Sequence, residues 1–318
     1  QPDRYISAAS SQIPANEAWQ AASRGLVAGL NDRQARWLSP ADLQAYQTLC
    51  SLPMNGIGAV LSTDTDGQGL VIQRVLPGHP SVLAGLQAGD RITSVDGQST
   101  LGMGIYQGMH LLRGVSGTPV ELVVERRGKS FDVMMHRAPI IPGPAVSTSM
   151  GSMGDRETGC VTVNWLDFST ADQVTAALQS LEAQGARKVL VDLRNLGGND
   201  PATAVRICSN FVPSGTLVGR VQPRQGPEQD LRTTTGLVTS MPVTVLVNER
   251  TGGSAELVAA CLRENGAQVL GEATAGQPSS VQMAMLPDGS ALQLPCERWY
   301  GPDGRLLDGQ GVRPHGRL

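Results

Sequence analysis

No apolar run in this chain approaches the ~20 residues that a membrane-spanning helix needs. The longest weakly polar stretch, Ala138–Gly154, is broken by prolines and glycines. Positive charge is not in surplus either. The net charge is −3, so nothing points to nucleic acid, which needs a basic face. The five cysteines are far apart, odd in number and form no CxxC pair, so a metal site is not expected. Lysine is nearly missing: Lys129 and Lys188 are the only two. No signal peptide is visible, although Gln1 could follow a cleaved one. A length of 318 residues suggests about two domains.

What is present is clearest at Thr244–Glu256. Val243, Val245, Leu246 and Val247 read as a buried strand. Asn248 to Gly253 supply turn residues with two glycines. A helix follows from Ser254 to Asn265, with Leu257, Val258, Cys261 and Leu262 on one face and Gly266 as C-cap. A strand–turn–helix of this kind gathers N–H groups and a helix dipole at one point, and nucleophilic serines are often displayed there. A serine opening a helix is equally a cap.

Upstream, Pro14–Leu30 reads as a helix with Trp19, Ala22, Leu26 and Leu30 near one stripe. Ser39-Pro40-Ala41-Asp42 starts a second helix, to about Cys50. Both are expected to pack on a core. Gly56 to about Arg137 reads as a small, mostly β domain. Its strands are expected at Gly58–Leu61, Leu70–Val75, Arg91–Val95, Val120–Glu125 and Phe131–His136. Turns fall at Thr65-Asp66-Gly67 and Asp96-Gly97, and helices at Ser81–Leu86 and Ile105–Leu112. Ile140–Gly154 reads as a linker. Strands and helices then alternate: Cys160–Trp165, a helix capped by Ser169 or Thr170, Lys188–Leu193, a helix from Asp200-Pro201 to about Phe211, Val218–Val221, Val243–Val247 and Val269–Leu270. Gln222–Ser240 has no periodicity and reads as an irregular loop. Leu286-Pro287-Asp288-Gly289-Ser290 reads as a hairpin turn. The class is α/β, with parallel strands covered by helices.

These motifs, in this order, resemble the carboxyl-terminal processing proteases, PDZ-bearing serine endopeptidases with a Ser–Lys dyad. Ala84-Gly85-Leu86-Gln87-Ala88-Gly89-Asp90-Arg91-Ile92, followed by Val95-Asp96-Gly97, is similar to a PDZ domain. Gly56-Ile57-Gly58 stands where such domains hold a peptide's terminal carboxylate, with Ile57 and Leu61 lining the pocket. Asp192-Leu193-Arg194-Asn195-Leu196-Gly197-Gly198 matches a family motif in which a glycine N–H helps form the oxyanion hole. Either Gly197 or Gly198 would serve, beside Ser254. Arg298–Arg305 and Gly309–Pro314 match the closing motifs. The resemblance implies an N-terminal helical segment (1–50), a PDZ domain (51–139) and a crotonase-like protease core (140–318). It also implies a periplasmic or other extracytoplasmic location. No cofactor is called for, and nothing specific to coenzyme A is visible.

The family's Asn-Glu-x-Ser/Thr-Ala-Ser-Ala-Ser-Glu aligns with Asn248–Glu256 without a gap, which puts Gly253 in the nucleophile's place and Ser254 one residue late. The family's Gly-Lys-Gly-Ser-Val-Gln corresponds to Gly276-Gln277-Pro278-Ser279-Ser280-Val281-Gln282, one residue longer. The lysine's place then falls to Gln277 or Pro278, neither of which is a base, while Gln282 matches the family's glutamine. A substitute base for Ser254 would have to come from His79, His110, His136 or His315. The expectation is a protease homologue lacking the standard dyad, which binds C-terminal or extended peptides as a scaffold, adaptor or regulator, with a homo-oligomer as a further option. The alternative is an active endopeptidase using Ser254. Other acyl chemistry on a crotonase-like core is a third option.

Overall fold

Strands from the second half of the chain assemble one five-stranded sheet in the computed structural model. The structure describes residues 15–30, 35–51, 54–63, 69–141, 143–151, 157–277 and 280–317. The sheet order is Val146–Met150, Thr158–Val163, Lys188–Asp192, Val243–Val247 and Gln268–Gly271. The last four run parallel, and Val146–Met150 joins one edge antiparallel. The inner strands are apolar because helices cover the sheet. Val161, Val191, Val245, Val247 and Val269 pack with Val174, Leu178 and Leu181 of the helix Thr170–Ala183 and with Leu257, Val258 and Cys261 of the helix Ser254–Glu264. Each fully buried side chain of this size stabilises the fold by ~1.5–3 kcal/mol. The helix Pro201–Cys208 begins at a proline, and the Asp200 carboxylate accepts from the Ala202 and Thr203 N–H groups at 3.1 Å each. At the far edge, the His315 N–H donates to Val269 O (2.7 Å). The Val269 N–H donates to His315 Nδ1 (3.0 Å), and the Gly271 N–H to Gly316 O (2.9 Å).

The described residues form two compact units, one from those within Gln1–Asn31, Ala35–Pro142 and Met283–Gln293, and the other from those within Gly143–Gln282 and Leu294–Leu318. In the first unit, Ala59–Thr63, Leu70–Val75, Arg91–Val95, Pro119–Arg126 and Lys129–His136 form an antiparallel sheet around Leu70, Ile72, Ile92, Leu122 and Val124. Burial works against the Asp90 carboxylate, yet hydrogen bonds from Arg126 and the Gln87 N–H hold its pKa below the ordinary value. The hairpin strand Ala291–Pro295 pairs with Arg36–Leu38, and the Leu286 N–H donates to Ser290 O across the turn.

Several expectations need correction. Val146–Met150 is a strand inside the expected linker; its Ser147, Thr148 and Ser149 are exposed at a sheet edge, so no apolar pattern marks it. Gln229–Arg232 is a strand inside the expected loop, pairing with Leu217–Pro223 while mostly exposed. The helix Ala15–Gly29 turns Trp19 and Leu26 outward at 67% and 56% exposure, and Leu30, just past its end, is 50% exposed. Its inner side is instead marked by the buried Ser23 and by Arg24, which stacks on Trp37. The second helix does bury Leu43, Ala45 and Leu49. The helix expected at Ser81–Leu86 spans Pro80–Leu83, and the one from Pro201 stops at Cys208. Pro14, the turn at Thr65–Gly67 and Pro278 lie outside the described residues.

Candidate functional site

Two loops meet at the carboxyl ends of neighbouring parallel strands, and main-chain hydrogen bonds stitch them together. After Lys188–Asp192, the loop carries Asn195, Gly197 and Gly198; after Val243–Val247, the turn carries Asn248 to Gly253. Asn248 Oδ1 accepts from the Asn195 N–H at 2.9 Å. Thr251 Oγ1 donates to Leu193 O at 2.9 Å. The Gly252 N–H donates to Leu196 O (2.8 Å) and the Ser254 N–H to Gly198 O (2.9 Å).

Gly253 is the N-cap of the helix Ser254–Glu264, at φ 61° and ψ −131°. Glycine enters this region freely and other residues only under strain. A Cβ built on Gly253 would overlap the Gly198 carbonyl oxygen. Ser254 is therefore the first helical residue, not the cap. It is fully buried, and its Oγ donates to Asp200 O at 2.7 Å. Its hydroxyl proton is thus held by a main-chain carbonyl, and its amide by Gly198. The N–H groups of Gly197 and Gly198 make no hydrogen bond to another described residue.

Behind the turn lies a buried carboxylate whose role was not legible in the sequence. Glu256 is fully buried. Its Oε2 accepts from the N–H of Gly253 and of Gln277, each at 3.0 Å. Its Oε1 accepts from Thr274 Oγ1 (2.5 Å) and the Gly276 N–H (2.7 Å). The bond to Gly253 is half of a capping box. The remaining bonds fasten the loop 274–277 to the helix start. Gln277, one of the two residues expected in the lysine's place, is held here by its main chain. Gln282 is exposed on the strand Val281–Met285.

No lysine or histidine of the same unit is placed to act on Ser254. Lys188 begins the strand whose other end leads to the glycine loop, so about 13 Å of extended chain intervenes. His315 is occupied in pairing with Val269. Lys129, His79, His110 and His136 belong to the other unit. Among the described residues no group of histidine, cysteine or acidic side chains could hold a metal ion.

The other unit has its own candidate site. Gly56, Ile57, Gly58 and Leu61 line a cavity of about 260 Å³ with Leu76, Met109, Leu112, Arg113 and Ile140. The loop turns its carbonyls inward: Ile57 O accepts from the Ser81 N–H, and Gly58 O from the Leu76 N–H, at 2.8 Å each. Neither the Ile57 nor the Gly58 N–H bonds another described residue. Gly58 has φ 77°, and a Cβ there would overlap His79. Arg113 was missed in the sequence; it directly follows the apolar helix Ile105–Leu112 and donates from Nη1 to Leu49 O at 3.0 Å.

Together the helix-covered sheet and the separate antiparallel domain define a serine-peptidase fold carrying a PDZ domain. The model of peptidase family S41 matches residues 157–318, and the PDZ domain model matches residues 51–125. The chain belongs to peptidase family S41, in its PDZ-containing carboxyl-terminal processing group. The carboxy-terminal processing protease CtpA of Bacillus subtilis (strain 168) is 28% identical over 294 residues, covering 92% of this chain and 62% of that one. The carboxyl-terminal-processing protease of Picosynechococcus sp. is 26% identical over 302 residues, covering 94% and 72%. The chain thus spans about three fifths of the Bacillus relative's length. The structure of a photosystem II D1 C-terminal processing protease superposes with a TM-score of 0.72 at 26% identity, covering 93% of this chain and 80% of that one.

Proposed function

We propose that this chain is a peptide-binding member of the family that acts as a scaffold or regulator without peptidase activity. The observation that carries the reading is Gly253. It stands in the nucleophile's register, and the Gly198 carbonyl occupies the place a side chain there would need. Gln277 in the lysine's register supports it, because an amide cannot take a proton from a serine. The alternative is an active endopeptidase using Ser254, which draws on the uncommitted Gly197 and Gly198 amides. Against it stand the burial of Ser254 and its bond to Asp200 O. The family resemblance supports a periplasmic or other extracytoplasmic location for it.

Without a general base, nucleophile activation is lost. The full chain is expected to leave casein and unstructured peptides intact and to resist a serine-reactive fluorophosphonate. Labelling or cleavage that disappears in Ser254→Ala would decide for the alternative.

Peptide capture is expected to survive in the PDZ domain. A peptide with a free terminal carboxylate and an apolar last residue would present its oxygens to the Ile57 and Gly58 N–H groups and its side chain to the cavity beside Leu61. Amidating that terminus removes charge-assisted hydrogen bonds and should weaken binding about tenfold or more. Equal affinities for acid and amide in a fluorescence-anisotropy titration would rule out carboxylate recognition.

A further inference from the structure

A second cavity, of about 270 Å³, lies beside the C-terminal end of the helix Ser254–Glu264, away from Gly253. Its apolar lining comes from Ala260, Leu307 and Val312, all buried. Arg263, Arg305 and Arg313 line it together with two acids, Glu264 and Asp303. Asp303 is engaged locally: Oδ1 accepts the Arg305 N–H at 3.0 Å, and Oδ2 lies 3.4 Å from Arg305 Nε. Glu264 Oε1 is 3.9 Å from Arg263 Nη1, too long for a hydrogen bond. Arg263 Nε is buried with no hydrogen-bond partner among the described residues. Arg313 is exposed and has no ion pair or hydrogen bond to another described residue. Three cations thus face two acids, one guanidinium has an orphaned buried donor, and another has no acceptor among the described residues.

We propose that this cavity is a binding site for a small organic acid, a carboxylate on a short aliphatic body. The planar guanidinium fork matches a carboxylate's two oxygens. Arg263 and Arg313 take those oxygens, while Ala260, Leu307 and Val312 receive the body. The cavity lies at the small end of ligand sites, which favours a body of a few carbons. A bare inorganic oxyanion would leave the apolar lining unused.

Isothermal titration of the full chain with pentanoate, pentanamide and inorganic phosphate tests this. Pentanoate should bind saturably in the ~mM range expected of so few atoms, with the amide about tenfold weaker or worse. Arg263→Gln and Arg313→Gln should each weaken pentanoate about tenfold. Arg313→Gln should melt like wild type, since its side chain is exposed and unpaired. Glu264→Gln, which removes a competing acid, should tighten binding. The proposal is overturned by any of three results: no saturable pentanoate binding, phosphate binding more tightly than pentanoate, or unchanged pentanoate affinity in both arginine variants.

Discussion

Gly253→Ser is expected to destabilise the protein and to confer no peptidase activity. Restoring the family's serine looks like the shortest route back to peptidase activity, and the gapless alignment from Asn248 to Glu256 suggests that the hydroxyl would point correctly. The structure removes that route. At φ 61° and ψ −131° a side chain strains the backbone by about 1–3 kcal/mol. Its Cβ would also overlap the Gly198 carbonyl, so the glycine loop must shift. Overpacking of this kind adds roughly 1–3 kcal/mol. The sum, about 2–6 kcal/mol, should lower Tm by about 5–20 °C. Gly253→Ala should fall nearly as far, because the obstacle is the Cβ rather than the hydroxyl. Adding Gln277→Lys supplies a base but not space, so the double variant should show a trace of activity at most. Calorimetry and a fluorogenic-peptide assay on these three variants and the wild type check it. A serine variant that melts like wild type and cleaves peptide would refute both the steric argument and the peptidase-free reading.

Glu256→Gln should be the most costly isosteric change in the second unit. A carboxylate can accept at both oxygens, and both are used, twice each. An amide must turn its NH₂ toward one pair of donors. Two buried donors then lose their acceptor, at a cost of about 2–4 kcal/mol and a Tm loss of roughly 5–10 °C. The side chain also sets a pH dependence. Burial raises the Glu256 pKa above its ordinary value, against the hydrogen bonds from Thr274, Gly276, Gln277 and Gly253 that pull it down. The folded protein therefore holds this proton more tightly than the unfolded chain does. The linked stability is full below the unfolded carboxyl pKa and is lost as pH rises through the higher folded value. The margin of wild type over Glu256→Gln should narrow across that interval. A pH series of melting curves reads it, and a margin that widens with pH would contradict the assignment.

What the sequence revealed and what it hid follow from one physical difference. Val243–Val247 and the helix Ser254–Glu264 were legible because burial writes a pattern of apolar residues into the chain. Val146–Met150 and Gln229–Arg232 were not, because edge strands with exposed side chains carry no such pattern. The outward-facing stripe of Ala15–Gly29 has the right period, yet period cannot say which side a core lies on. At the site, alignment could single out Gly253 and Gln277 because a residue's type is written in the chain. It could not find the contacts of Gly198 O with Ser254 N or of Asp200 O with Ser254 Oγ. These use main-chain carbonyls that every residue possesses. Glu256 was visible as a matched letter, but its role depends on donors 18 to 21 residues further along the chain.

The pairing of His315 and Gly316 with the outer strand bears on how the molecule meets copies of itself. An uncovered strand presents a row of amides and carbonyls to which a second chain can add. Here Val269 is satisfied on both sides of its peptide unit by a single residue: His315 gives its N–H to Val269 O and lends an imidazole nitrogen as acceptor to the Val269 N–H. That nitrogen does the work of a carbonyl, so a histidine counted among the candidate bases is a piece of sheet. The stretch that would serve as a template for strand addition is already filled from within the same chain. A symmetric pair of molecules joined edge to edge at Gln268–Gly271 would first have to peel the His315–Gly316 segment away.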